Sequence, residues 1–151
     1  MRIAIMNRQR RHRISTLLIR KVAERVLGVL GAEDSELSVS IVGDRSMRCI
    51  NREYLGKDRP TNVISFSMKE GEFGSLNPDV LGDVVISADT AAREAEDGTL
   101  SFNERLCFLL LHGILHLMGY DHERSGEKEA ARMELKEQEI FGVLKRDGLI
   151  G

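Results

Sequence analysis

Three of the four histidines in the sequence lie within eleven residues, from His112 to His122. His112 and His116 are four positions apart, so on a helix their imidazoles share one face, with Cβ atoms about 5–6 Å apart. Two imidazoles at this spacing can bind one metal ion. Gly119 can adopt the backbone angles that end a helix and reverse the chain, which would bring His122 back as a third ligand.

Three neutral imidazoles on Zn²⁺ would leave the fourth coordination position for water, as in catalytic rather than structural zinc sites. The predicted metal ligands are therefore His112, His116 and His122, with one zinc ion as the cofactor. Imidazole also suits nickel, copper and iron, so the pattern alone does not select the metal. A single histidine on an apolar helix is more often a hydrogen-bonded core residue, and that alternative stays open for each one taken alone.

The spacing of the three histidines matches the metal-binding motif of the metzincin proteases. Those enzymes place a general-base glutamate directly after the first histidine, where this sequence has Gly113. The missing glutamate argues against peptide hydrolysis, but not against attack on a phosphodiester, where positioning and charge neutralisation dominate. Asp121, beside the third histidine, is predicted either to orient an imidazole or to cap the following helix. Tyr120 is predicted to be a core residue, and the alternative is a hydrogen-bond donor near the substrate.

Two groups of cations could bind an anionic partner. Lys57 and Arg59, in the predicted loop 56–60, are the candidate catalytic residues, because they could bind phosphate oxygens of a substrate, with Arg52 beside them. The segment from Arg2 to Arg25 carries eight lysines and arginines against one acid. For both groups the alternative is a solvated surface without a function.

The hydrophobic pattern predicts strands mixed with helices, in an α+β or α/β single domain over residues 1–151. Strands are predicted over 2–6, 37–42, 62–68 and 84–87, a loop over 71–82, and helices over 15–30, 46–55, 89–96 and 127–145, with Asp89 as an N-cap. The helix with the histidines opens on the capping box Ser101–Glu104. It is apolar almost all round from 106 to 118, so it should run through the middle of the fold.

Cysteine usage and the length of the apolar runs indicate a cytosolic protein that is not inserted in a membrane. Cys49 and Cys107 form no CxxC pair and are predicted to be buried, reduced thiols. The apolar run over 106–118 is shorter than the roughly 18 residues needed to span a bilayer. The apolar stretch at 3–6 is too short for a secretion signal.

Three segments together resemble the YbeY family of bacterial rRNA maturation factors. They are 112–122 (HGILHLMGYDH), 56–66 (GKDRPTNVISF) and 81–83 (LGD), and the resemblance runs from about 36 to 139. Two positions depart from the family's pattern. Leu55 stands where the family usually has an arginine that helps bind or cleave RNA, and Ser67 stands where it tends to have a proline.

The resemblance implies a zincin-like α+β fold, in which a small mixed sheet surrounds a central buried helix that carries the metal histidines. It implies a zinc-dependent, single-strand-specific endoribonuclease that acts in 16S rRNA 3′-end maturation and ribosome quality control in the cytoplasm. The expected partners are ribosomal RNA, small-subunit particles and ribosome-associated proteins, without a membrane. His112, His116 and His122 would bind zinc, while Arg59 and Lys57 would bind phosphate. The alternatives are a non-enzymatic, metal-stabilised ribosome-assembly factor and a metalloprotease.

Overall fold

The computed structural model of the protein describes residues 2–68, 79–120 and 126–151. Four strands form one sheet in the order β1-β2-β4-β3, and their bounds are β1 (Arg2–Asn7), β2 (Glu36–Val42), β3 (Val63–Ser67) and β4 (Val80–Ser87). Strands β1, β2 and β4 run parallel, and β3 is an antiparallel edge strand beside β4. The helices of the described ranges are α1 (Thr16–Val29), α2 (Asp44–Leu55), α3 (Ala88–Asp97), α4 (Phe102–Leu117) and α5 (Gly126–Arg146). This small mixed sheet among helices confirms the predicted fold class.

Helix α4 lies at the centre of the fold, as its apolar sequence predicts. It packs against β3, β4 and three other helices, and nine of its sixteen residues are buried. The predicted capping box is present, because the Ser101 hydroxyl accepts from the N–H of Glu104 at 3.2 Å and the Glu104 carboxylate accepts from the N–H of Ser101 at 3.0 Å. Across the three described ranges, no helix has the length and apolar character needed to cross a membrane.

Helix α4 approaches the sheet most closely at Gly113. A Cβ atom at this position would lie 2.7 Å from Cγ1 of Val84 and 3.2 Å from the hydroxyl oxygen of Ser65. The Ser65 hydroxyl donates a hydrogen bond of 2.9 Å to the Gly113 carbonyl. Near the end of the helix, Gly82 (φ 138°) leaves room for the Phe66 carbonyl, which a Cβ would strike. The contacts of Gly113 with Val84 and Ser65 fix the height of α4 above the sheet, and with it the position of its histidines.

Strand β4 begins earlier than its sequence pattern predicts. The strand starts at Val80 rather than Val84, so residues 80–82 belong to the sheet and not to the predicted loop. Gly82 and Asp83 interrupt the apolar pattern, but both pair with β2 on one side and β3 on the other. Backbone pairing on both sides therefore outweighs the weak strand preference of these two residues. Residues 71–78 of the predicted loop lie outside the described residues.

The prediction of Asp89 as an N-cap is wrong. Ser87 caps α3 instead, and its hydroxyl accepts from the N–H of Thr90 at 3.3 Å. One carboxylate oxygen of Asp89 accepts from the backbone N–H of Asp44, at the start of α2, at 2.9 Å. This backbone hydrogen bond holds the pKa of Asp89 below its usual value. Asp89 thus joins the first turns of two helices rather than capping its own.

Asp44 completes this polar cluster at the carboxyl ends of the parallel strands. Its carboxylate accepts hydrogen bonds from Ser87 at 2.7 Å, Thr90 at 2.6 Å and Arg93 at 2.6 Å. Burial raises the pKa of Asp44, but these three hydrogen bonds outweigh it, so the net shift is downward. Both carboxylates of the cluster are therefore charged and fully engaged at neutral pH.

The two cysteines differ in exposure. Cys107 is buried in α4, as predicted, and burial raises the pKa of its thiol to about 12. It therefore stays protonated and packs as an apolar group. The prediction of burial is wrong for Cys49, which is exposed on α2. The apolar face of α2 is carried by neighbouring residues such as the fully buried Met47, and Cys49 falls on the opposite side.

Candidate metal centre

His112 and His116 lie one turn apart on the partly exposed side of α4, as their spacing predicts. Their Nε2 atoms are 3.0 Å apart, and their ring centroids are 4.6 Å apart. Two nitrogens on one tetrahedral zinc ion, each about 2.0–2.1 Å from it, would lie roughly 3.3 Å apart. The observed separation is within a few tenths of an ångström of this value. The pair therefore fits two ligands of one zinc ion.

The second ring nitrogen of His112 contacts Glu137 of α5. The distance from Nδ1 to Oε2 is 3.0 Å, and the glutamate side chain is only 9% exposed. A carboxylate accepts a hydrogen bond from Nδ1–H, and that tautomer leaves a lone pair on Nε2. Histidines that bind zinc commonly donate their other N–H to a carboxylate in this way. Glu137 therefore keeps the lone pair on the Nε2 atom that faces His116, and this lone pair can bind a metal ion.

Sequence reasoning missed Glu137 and considered Asp121 for the orienting role. The sequence does hold a signal for Glu137, since it lies four residues after Met133 and three before Ile140, within the buried face of α5. An acid in an apolar helix face needs a partner, because an unpaired buried charge costs several kcal/mol. His112 is that partner.

Aromatic rings line one side of the histidine pair. The Phe108 ring stacks near His112, with a centroid distance of 6.5 Å, and meets Phe141 edge-on at 5.6 Å. Tyr120 packs against the core, as predicted, and the Arg132 guanidinium lies 5.1 Å from its ring centroid. The His112 side chain nevertheless remains 32% exposed. Aromatic rings thus border the site on one side, while the imidazole of His112 remains partly exposed.

The chain turns directly after α4, where the third ligand was predicted. Gly119 has a φ of 95°, and its N–H donates to the carbonyl of His116 at 3.0 Å, so the predicted turn is present. His122 and Asp121 both lie outside the described residues. Within 2–68, 79–120 and 126–151, no group of three metal-binding side chains comes together. The complete trio of ligands therefore stays a prediction.

The two candidate phosphate-binding cations lie in the loop between α2 and β3. Lys57 and Arg59 are both exposed, and neither forms an ion pair within the described part of the chain. Asp58 between them is held by Arg48 at 2.8 Å, with Arg52 at 3.8 Å. The hydrogen bond from Arg48 lowers the pKa of Asp58. The acid of the loop is thus paired with arginines of α2, which leaves the charges of Lys57 and Arg59 available to a ligand.

The same loop is attached to α2 through Asn51, which is 2% exposed. Its side-chain amide donates to the carbonyl of Arg59 at 2.8 Å, and its backbone carbonyl accepts from the N–H of Lys57 at 3.3 Å. Leu55, at the position of the family's usual arginine, is 52% exposed at the end of α2. A residue at this position therefore faces solvent beside the two cations.

A central helix that presents two imidazoles, beside the edge strand of a small mixed sheet, is an arrangement suited to a metal-dependent hydrolase. The chain belongs to the endoribonuclease YbeY family, whose family model matches residues 4–145. It is 71% identical over 150 residues to endoribonuclease YbeY of Geobacter metallireducens, with 99% of this chain and 100% of that protein covered. The corresponding protein of Geobacter sulfurreducens is 69% identical with the same coverage. The predicted family is therefore confirmed, and with it the expected class of enzyme, a hydrolase.

A solved structure also resembles the fold. The solution structure of TM1509 from Thermotoga maritima superposes with a TM-score of 0.64 and covers 97% of this chain and 94% of its own. At 22% sequence identity this likeness supports the fold and nothing further. It agrees with the mixed sheet and central helix described above.

Proposed function

We propose that this protein is a zinc-dependent endoribonuclease that cleaves single-stranded RNA at a centre formed by His112, His116 and His122. The observation that carries the proposal is the 3.0 Å distance between the Nε2 atoms of His112 and His116. Glu137 accepts a hydrogen bond from the other ring nitrogen of His112, which leaves the Nε2 lone pair for the metal. Membership of an endoribonuclease family supports RNA as the substrate. The partly exposed position of the pair supports access for a polymer rather than a closed structural site.

Each residue of the proposed centre would have a separate role in the cleavage of RNA. When bound, zinc would lower the pKa of water toward neutrality and polarise a phosphoryl oxygen. Glu137 holds His112 in the tautomer that exposes its Nε2 lone pair. Lys57 and Arg59 would bind phosphates beside the scissile bond, because their charges are exposed and unpaired within the described residues. Such contacts position the RNA without reading its sequence.

Gly113 gives a physical reason to favour RNA over peptide as the substrate. The metzincin proteases carry their general base at this position. Here a Cβ would already lie 2.7 Å from Val84, so a glutamate fits only if Val84 changes its rotamer or α4 moves off the sheet. The usual base for peptide hydrolysis is therefore missing, and the close packing of α4 on the sheet disfavours a side chain at its position.

We further propose that the cleavage serves 16S rRNA 3′-end maturation and ribosome quality control in the cytoplasm, on small-subunit particles. The resemblance to the YbeY family supports this role. Depletion of the protein should leave 16S rRNA with an extended 3′ end, measured by end mapping. The parent protein should restore the mature end, whereas a His116→Ala variant should not. Normal 3′ ends after depletion would contradict the cellular role and leave the chemistry to be tested separately.

The chemistry is tested with purified protein, a fluorescent single-stranded RNA and its duplex form. We expect one zinc per chain, cleavage of the single strand, and loss of cleavage on chelation or in His116→Ala. A His12→Ala variant should keep its zinc, because His12 lies at the other end of α4 and contacts Asp89. Cleavage that survives both chelation and His116→Ala would remove the metal from the mechanism. Zinc-dependent casein cleavage would favour a protease, and no turnover at all would favour an assembly factor.

A further inference from the structure

We propose that residues 8–13, here called the arginine segment, form a second RNA-binding surface, separate from the histidine pair. The inference rests on the proposed function for its choice of RNA as the ligand. The segment reads RQRRHR, and its four arginines are all exposed. Within the described part of the chain none of the four forms an ion pair, although most other arginines of the fold do.

Hydrogen bonds to β2 and within the segment hold the backbone of the arginine segment. The N–H of Arg8 donates to the carbonyl of Ile41 in β2 at 2.8 Å. The side chain of Gln9 donates to the carbonyl of His12 at 2.9 Å and accepts from the N–H of His12 at 2.8 Å. The segment is therefore closed into a compact loop, and binding a ligand would not have to pay for ordering it.

The loop is attached to the rest of the fold through His12. Its Nε2 lies 2.8 Å from a carboxylate oxygen of Asp89, and its ring lies 5.2 Å from that of Phe102. Gln9, His12 and Ile14 are half-buried, whereas the arginines between them face outward. The alternation places every cation of the segment on the solvent side.

Neighbouring acids do not neutralise these arginines. Asp89 is engaged by His12 and by the N–H of Asp44. Asp44 in turn accepts hydrogen bonds from Ser87, Thr90 and Arg93. Asp89, which contacts the loop through His12, and Asp44 beside it are thus satisfied within the fold, and the net positive charge of the loop remains available to a polyanion.

The composition of the exposed side favours a nucleic-acid backbone over a membrane. A helix or loop that binds at a lipid surface buries an apolar face, and the outward residues of this segment are arginines alone. Binding to a phosphate backbone needs only cations that face the solvent.

The loop contacts Phe102 at the start of α4, and His112 follows ten residues later, about 15 Å along the helix axis. A short single strand bound at the loop would therefore reach the histidine pair.

The test is a variant in which Arg10, Arg11 and Arg13 are replaced by glutamine. A matched control replaces three exposed cations that have no ion pair in the described residues, namely Lys21, Lys128 and Arg146. Binding of a 2′-O-methyl 16-nucleotide strand is measured by fluorescence anisotropy in chelator, so that cleavage and metal do not contribute. Each phosphate contact is worth about fivefold in affinity at 0.1 M salt, since the salt slope is about −0.7 per contact on single strands.

We expect the triple variant to bind up to about 100-fold more weakly, with a salt slope smaller by about 2. The control should stay within about twofold of the parent, and both variants should melt at the parent temperature. In cleavage of the unmodified strand, the triple variant should raise KM and leave kcat unchanged, because the loop lies away from the histidine pair.

Equal RNA binding by the triple variant and the control would overturn the inference. A defect confined to phosphatidylglycerol vesicles, with RNA binding intact, would overturn it as well. If the parent cleaves RNA and the triple variant matches the control, the inference fails and the proposed function stands. If the triple variant loses RNA affinity but the parent never cleaves, the surface stands and the proposed function fails.

Discussion

Replacing Gly113 by alanine tests whether close packing of α4 on the sheet sets the position of the histidine pair. The added Cβ would lie 2.7 and 3.1 Å from the two methyl carbons of Val84 and 3.2 Å from the Ser65 hydroxyl. Val84 is fully buried, and its β-branched side chain has few alternative rotamers. Either the valine leaves its rotamer or α4 moves away from β3 and β4.

Two opposing contributions set the size of the effect. Alanine is favoured over glycine in a helix interior by about 1 kcal/mol. Overpacking a core costs about 1–3 kcal/mol. Three heavy atoms crowd the new methyl group, and two of them belong to a stiff buried valine, so we expect the upper part of that range. The free energy of unfolding should fall by about 1–2 kcal/mol, which lowers Tm by roughly 2–8 °C for a domain of this size.

A double-mutant cycle with Val84→Ala identifies the contact responsible. Val84→Ala alone should destabilise the protein by roughly 2 kcal/mol, because it removes buried methyl groups and leaves a cavity. In that background the clash at position 113 is gone, so Gly113→Ala should become neutral or slightly stabilising. Urea denaturation of the four proteins measures the coupling. If Gly113→Ala costs nothing, or costs the same in both backgrounds, the contact with Val84 does not hold the helix.

Three further changes test other parts of the molecule. Glu137→Gln should weaken zinc binding about 10–100-fold, as loss of a ligand-orienting carboxylate does. Competition with a chelator measures the zinc affinity. An equal loss of affinity in the surface variant Glu139→Gln would contradict the reasoning. The lowered pKa of Asp44 adds stability above pH 3.8 that is lost as the pH falls through the folded-state value. Asp44→Asn should therefore make stability, followed by circular dichroism, less dependent on pH below 3.8, and an unchanged acid transition would argue against it. Arg59→Ala should raise KM for RNA about fivefold, as expected for one phosphate contact at 0.1 M salt, and an unchanged KM would exclude that contact.

Helix α4 could be predicted because all its signals are local. The capping box at Ser101 and Glu104, the four-residue spacing of the histidines and the turn at Gly119 depend on residues within one or two turns of each other. Patterns this short in sequence can be recognised without knowing the rest of the fold, although tertiary packing supplies most of the stability of the helix. Both the helix and the paired imidazoles were therefore accessible from the sequence.

The partners that α4 meets across the fold could not be predicted in the same way. Glu137 reaches His112 across 25 residues, and Gly113 meets Val84 of a strand whose first half the sequence pattern missed. Similarly, the local sequence predicts Asp89 as an N-cap, but its carboxylate accepts a hydrogen bond from the N–H of Asp44 in another helix instead. In each case the deciding interaction is tertiary, so local preference gives the wrong answer or none.

These two kinds of interaction have different consequences for the metal centre. The Nε2 separation of His112 and His116 is internal to α4, so it survives a shift of the whole helix. The contact between His112 and Glu137 joins α4 to α5, so a shift of α4 breaks it first. Gly113→Ala should therefore weaken zinc binding through loss of that contact. Combined with Glu137→Gln, it should weaken zinc binding no more than Glu137→Gln does alone. Additive losses in zinc affinity would mean that the shifted helix disturbs the imidazoles themselves, and the separation into a rigid pair and a movable carboxylate would be wrong.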